Sequence, residues 1–189
     1  MIRIAVVGGI GSGKSHVAKS FRCPVFNADS EVDKLYKNNK IIFNRLKKVL
    51  SKYIYSFPIN KNEISKAILV NQLNLNKIVK IIHPEIRKKM NIFLKKNNQK
   101  KFLVLDIPLL LENKINKKRD IIIFVESKKS EIIKRLKKRK NFNLRLFKRF
   151  KNIQLPLDYK KKKSHFIIKN DFTNSSIKDS IRIILKEIL

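Results

Sequence analysis

IRIAVVGGIGSGKSHVAKS, residues 2–20, is the stretch on which the reading of the whole chain turns. Residues 3–7 are a short, mostly β-branched run, long enough for one buried strand. The run breaks at Gly8-Gly9, and a helical pattern resumes at Lys14 with Val17, Ala18 and Phe21 on one face. Between them stands Gly8-x-x-x-x-Gly13-Lys14-Ser15, the phosphate-binding loop pattern. The physics asks for these residue types. Glycines let backbone N–H groups curl around an anion with no Cβ in the way, and the helix start adds its partial positive charge. Lys14 then reaches the β- and γ-phosphates, and the Ser15 hydroxyl ligates Mg²⁺. The expected nucleotide contacts are therefore Gly9, Gly11, Ser12, Gly13, Lys14 and Ser15, with His16 next in line. An ordinary glycine-rich turn would not explain why all 4 glycines of the chain fall inside this loop.

The remaining composition bounds the class. At 189 residues the chain makes one compact domain with room for a lid or subdomain. Lys and Arg number 46 against 14 Asp and Glu, a net charge of +32. Such a charge suits nucleic acid or an anionic surface. Here, however, lysine is spread over nearly every expected helix, and the chain is also rich in Asn and Ile. These three residues share AT-rich codons, so base-composition drift accounts for the charge, and any nucleic-acid contact is expected to be non-specific. The converse is more useful: carboxylates are scarce, so each one carries information. No apolar run approaches membrane-spanning length, and the chain opens on a strand rather than a signal peptide. The lone Cys23 has no partner for an internal disulfide, which fits a reducing cytoplasm, and reads as a small apolar residue rather than a nucleophile.

Pro24-Val25-Phe26-Asn27 reads as a very short second strand running into Ala28-Asp29-Ser30. A helix is expected there, with Asp29 or Ser30 near its N-cap and Val32, Leu35 and Tyr36 facing inward. Residues 41–53 form a second amphipathic pattern, with Ile42, Leu46, Val49 and Leu50 on one face. Pro58 breaks it. Residues 63–70 and 73–94 are helical again, with His83-Pro84 marking a break or a new first turn, and 95–101 is a polar connection. Residues 102–106 are a continuous apolar run ending in an acid, as expected of a buried parallel strand; 121–125 and 166–168 are two more. Helices follow at 129–140, with Ser127 as a candidate N-cap, and at 175–189. Strands alternating with helices predict a doubly wound parallel sheet, with ligands at the carboxyl ends of the strands. The phosphate loop and Asp106 both lie there. Residues 139–163, polar, basic and strandless, read as a helical excursion over the site.

Asp29, just past the second strand, shares that edge. Phosphoryl transfer needs in-line positioning, cations on the phosphates and an acceptor for the nucleophile's proton. Asp29 fits the last role, against the plainer alternative of a helix cap; Asp33, one turn on, reads as supporting or structural. Asp106 binds magnesium through water or orients substrate. After it, Pro108, Leu109, Leu110 and Leu111 make an apolar wall closed by Glu112, with at least one leucine in the core. His83 and Arg87 share a helical face and suit an anionic or sugar group. Within the basic run 134–140, Arg139 is the choice for a lid guanidinium on the transferring phosphate, with Arg135 the alternative. No Cys/His cluster has zinc-ligand spacing.

On these residues the chain resembles the dephospho-coenzyme A kinase family, which is nucleoside-monophosphate-kinase-like. The resemblance rests on the loop 8–15, Asn27-Ala28-Asp29, His83-Pro84-Glu85-Ile86-Arg87, Pro108-Leu109-Leu110-Leu111-Glu112-Asn113, and Gln154-Leu155-Pro156 running to Asn170, all in family order. It implies an α/β P-loop kinase: a five-stranded parallel sheet flanked by helices (1–28, 101–138 and 164–189), a helical coenzyme A subdomain (29–100) and a lid (139–163). It implies ATP with Mg²⁺, the metal held by Ser15 and Asp106, and phosphorylation of the ribose 3′-hydroxyl of dephospho-coenzyme A. Asp29 is then the base, Lys14 and Arg139 work on the phosphates, and Asn170 joins the nucleotide contacts. His83, Arg87, Pro108, Leu109 and Glu112 join Asp29 on the acceptor. The chain departs from the family where His16 stands for Thr, Asn27 and Lys140 for acids, and Ser164-His165 for Ala-Asp. Competing readings are another small-metabolite or nucleotide kinase of this fold, and a basic nucleic-acid-binding protein with a vestigial loop. The helical insertion with His-Pro-x-x-Arg speaks against the first, and the lack of an aromatic-interleaved basic strand against the second.

Overall fold

A computed structural model of the chain describes residues 1–138 and 142–189. The strands are β1 (Ile2–Gly8), β2 (Val25–Asn27), β3 (Phe102–Asp106), β4 (Ile121–Glu126) and β5 (Phe166–Lys169). They form one five-stranded sheet in the order β2-β3-β1-β4-β5, every pairing parallel. The sequence explains the order. Ile4, Ala5 and Val6 are wholly buried, as an unbroken apolar run must be when both faces of a central strand are covered. β2 and β5, the shortest runs, take the edges.

The helices are α1 (Lys14–Ser20), α2 (Ala28–Asn38), α3 (Lys40–Val49), α4 (Lys61–Val70), α5 (Gln72–Lys96), α6 (Lys129–Lys137), α7 (Leu144–Asn152), α8 (Leu157–Lys162) and α9 (Asn174–Ile188). The chain divides into two compact units. The first comprises Met1–Asn27, Asn97–Phe142 and Lys151–Leu189; the second comprises Ala28–Lys96 and Asn143–Phe150. The excursion 139–163 is thus split between the units.

In the first unit, α1 and α9 cover the sheet: Val17 of α1, Phe21 at its C-cap, and Ile177, Ile181 and Ile184 of α9 join Ile4 and Val6 in a single buried cluster. At the strands' amino ends Arg3 donates to Asp120 at 2.9 Å, and Asp120 also accepts from the Lys117 N–H.

The second unit is built on α5, and here the structure corrects the sequence reading. No break occurs at His83-Pro84: α5 runs unbroken with Pro84 inside it. Proline removes one hydrogen bond from a helix interior, but Ile78, Ile82, Ile86 and Met90 make one buried stripe across it, and that packing holds the axis together. The helix expected over 41–53 also ends early. Asn39 caps its start, accepting from the Ile42 N–H at 3.0 Å, and Leu50 leaves helical geometry as its C-cap. Val49, the last residue of the helix, is exposed rather than joining Ile42, Leu46 and Leu50 in the interior. Glu63 is buried and accepts from the N–H groups of Tyr55 and Ser56 and from the Ser56 hydroxyl, pinning the preceding turn to α4.

Candidate active site

The loop between β1 and α1 is held from beneath by the ends of β4 and β5. The Ser12 carbonyl accepts from the Ser127 hydroxyl at 2.9 Å and from the Asn170 Nδ2 at 2.8 Å. Asn170, itself buried, accepts from the Phe172 N–H through Oδ1, and its own N–H donates to the Glu126 carbonyl. Both amide groups of Asn170 are thus engaged in building the loop's floor. Ser127 was expected to cap α6, but the N-cap is Lys128; the serine hydroxyl is spent on the loop instead. Two glycines are obligatory here. A Cβ on Gly8 (φ 149°) would sit 2.7 Å from the Val125 carbonyl, and one on Gly13 (φ 88°) would run into the Asn170 amide.

The Lys14 ammonium lies inside the loop, donating to the carbonyls of Gly9 at 2.7 Å and Gly8 at 3.3 Å. Ser15 and His16 are exposed on the first turn of α1. Asp106 ends β3, almost wholly buried, beside Val6 of β1 and opposite Asn27 of β2. The Asn27 Nδ2 donates to Asp106 Oδ2. An amide at this position supplies a donor where an acid would set two carboxylates against each other.

The turn after β3 folds back on itself, with Ile107 and Leu110 buried and Pro108, Leu109 and Leu111 half-buried. Glu112 in that turn meets a residue the sequence reading missed. Lys160, with 1% of its surface accessible, puts its ammonium 2.6 Å from Glu112 Oε1. The Leu155 N–H donates to the same oxygen at 3.0 Å. Nothing in the run Lys160-Lys161-Lys162-Lys163 marks the first as different. α8 packs on β1, and its Leu157 lies where a Cβ on Gly9 would touch it at 3.5 Å.

Arg135 stacks its guanidinium over the Phe172 ring at 4.2 Å, and that ring borders Gly13. Arg139 and Lys140 lie outside the described residues. Asp29, His83 and Arg87 belong to the second unit. Asp29 is exposed in the first turn of α2, immediately after β2, and His83 and Arg87 follow one another on α5. Asp33 pairs with Lys61 at 2.7 Å on the surface, which fits a structural part. Burial raises the Cys23 thiol to about 11, which leaves it a poor nucleophile.

Among the described residues no cluster of three His, Cys, Asp or Glu side chains could hold a metal. The donors at the loop are a hydroxyl, Ser15, and a carboxylate, Asp106: hard oxygens, few in number. That set fits magnesium, which takes one or two protein oxygens and completes its shell with phosphate and water.

The family model for dephospho-CoA kinase matches residues 2–177. A dephospho-CoA kinase of Wolbachia pipientis is 33% identical over 187 residues, covering 94% of this chain and 95% of its own. A solved protein of Thermus thermophilus shares the fold with a TM-score of 0.77 at 21% identity, covering 100% of this chain and 98% of that one. The dephospho-CoA kinase of Campylobacter jejuni does so with a TM-score of 0.65 at 22% identity, covering 98% and 96%. The loop, the acid on the adjoining strand and a match along nearly the full length agree: the chain belongs to the dephospho-CoA kinase family and phosphorylates dephospho-CoA with ATP in coenzyme A synthesis.

Proposed function

We propose that the group phosphorylated is the ribose 3′-hydroxyl, and that Asp29 accepts its proton as the oxygen attacks the γ-phosphorus and ADP departs. What supports this reading is the hydrogen-bonded phosphate loop of the first unit, with Asp106 at the same sheet edge and Asp29 next in the chain after the neighbouring strand. Loop N–H groups from Gly9 to Ser15 cradle the phosphates, His16 borders them, and Lys14 exchanges its carbonyl contacts for the β/γ-oxygens. Ser15 and Asp106 would hold Mg²⁺, whose charge neutralises phosphate oxygens. Asn27 keeps Asp106 oriented. Arg139, from the lid at 139–163, stabilises charge on the transferring group.

On the acceptor side, His83 and Arg87 of the helical subdomain 29–100 suit the anionic groups of dephospho-coenzyme A, and Pro108, Leu109 and Glu112 line its path. Asn170 acts on the nucleotide through the loop it supports. The cytoplasm is the compartment we assign, supported by the lone reduced thiol.

The test is Asp29→Asn, followed by ADP release with dephospho-coenzyme A as acceptor. Asn caps a helix about as well as Asp, so the melting temperature should hold and KM should change modestly, while kcat falls by about 10²-fold or more. A variant that lost stability and kept its kcat would return Asp29 to a capping role.

A further inference from the structure

Lys160 is the one lysine among the described residues that is buried. Its ammonium and the Leu155 N–H both go to Glu112 Oε1. Glu112 Oε2 is equally buried and has no hydrogen-bond partner among the described residues. The asymmetry is chemically odd. A carboxylate can take about four hydrogen bonds, and a buried oxygen without a donor destabilises the fold unless something else supplies one. A staple between two elements would be stronger with both oxygens used.

The location suggests what supplies the donor. Glu112 stands in the turn leaving β3, directly after Asp106, on the sheet edge that carries the phosphate loop. The helix that brings Lys160 packs on β1 and lays Leu157 against Gly9. Lys160 therefore fixes, in the turn that leaves the carboxyl end of β3, a carboxylate with one oxygen uncommitted.

We propose that Lys160 is a positioning residue, holding Glu112 so that Oε2 accepts an O–H or N–H of the acceptor substrate, dephospho-coenzyme A. This rests on the reading that puts Glu112 on the acceptor side. The proton is not transferred, and no bond is made or broken; the pair orients the acceptor, so its loss falls on KM for that substrate.

The experiment is a double-mutant cycle of Lys160→Met and Glu112→Gln, measuring melting temperature and both KM values. Lys160→Met strands a buried carboxylate and should lower the melting temperature, whereas the uncharged double variant should recover it. In that double variant the amide still accepts from Leu155, but an NH₂ replaces the accepting Oε2. KM for dephospho-coenzyme A should then stay raised by about tenfold to a hundredfold, with KM for ATP unchanged. Recovery of both melting temperature and KM would show a purely structural pair and overturn the proposal. A parallel rise in KM for ATP would show a loosened loop and overturn it too. Should the double variant not fold, the carboxyl ¹³C resonance of Glu112 in the unaltered protein decides. It should move on adding dephospho-coenzyme A and not with a non-hydrolysable ATP analogue. No movement overturns the proposal; movement with the ATP analogue instead overturns the acceptor-side reading beneath it.

Discussion

Asn170 is named by the family pattern as a nucleotide residue, yet its amide is spent on protein: Nδ2 on the Ser12 carbonyl and Oδ1 on the Phe172 N–H, both at 2.8 Å. If it acts only by holding the loop, its effect must depend on the other group that holds the same carbonyl, Ser127. Asn170→Ala removes two hydrogen bonds, each worth about 1 kcal/mol net. Ser12 keeps the Ser127 hydroxyl, so the loss is about 2 kcal/mol, or a fall in melting temperature of about 4–8 °C for a domain of this size. Ser127→Ala alone removes one bond and costs about 1 kcal/mol. In the double variant the buried Ser12 carbonyl has neither donor. An orphaned buried acceptor costs about 1–3 kcal/mol beyond the bonds themselves, so the effects should exceed their sum by about 1 kcal/mol or more. The same excess should appear in KM for ATP, about fivefold beyond the product of the single effects. Thermal unfolding and initial rates at varied ATP measure both. Strict additivity in KM would refute the argument and mean that Asn170 touches the nucleotide directly.

Lys14→Ala should cut turnover by about 10²–10³-fold or more while leaving the melting temperature near its starting value, since the loop lysine contributes charge rather than core; a coupled ADP assay beside thermal unfolding checks both. Arg139→Lys keeps the charge and loses the planar fork, so kcat should fall at least tenfold, roughly, and further than ATP affinity, while Lys137→Ala and Lys138→Ala stay nearly silent. Equal, salt-dependent effects at all three would indicate a diffuse basic patch. Cys23 is raised from 9.0 to about 11 in the folded state. Its neutral thiol therefore contributes stability that is constant at lower pH and declines as pH rises from 9.0 toward about 11. Alkylation at neutral pH should be slow until denaturant is added; fast modification of the native protein would contradict the assignment.

The parts of the fold that could be read in advance were those where one residue type has no substitute. A loop of glycines between a β-branched run and a helix has few other meanings, and 102–106 and 121–125 are too apolar and too short to be anything but buried strands; 166–168 reads the same way and is a strand, but at the sheet edge, where Ile168 is buried and Ile167 is exposed. What could not be read depends on long-range neighbours. Pro84 looks like a stop until Ile82 and Ile86 are seen to bury the same face on either side of it. Ser127 has the chemistry of a cap and is diverted by Ser12, far away in sequence. Lys160 is one lysine among many until a carboxylate is brought to it from the turn after β3. The scarcity of acids did single out Asp106 and Glu112; the partners that orient them, Asn27 and Lys160, carried no such mark.

The chain keeps 4 glycines, all in the phosphate loop. Its other left-handed backbone positions among the described residues are filled by Arg22 (φ 52°), Lys114 (φ 49°) and Phe172 (φ 68°). Each costs about 1 kcal/mol relative to glycine, a burden the turns evidently carry. The loop has no such latitude, because at Gly8 the obstacle is the backbone of β4 itself, 2.7 Å from any Cβ. At Gly8 and Gly13 glycine thus works as a record of constraint: it stands where steric exclusion leaves no other residue, and both places belong to the cradle for the phosphates.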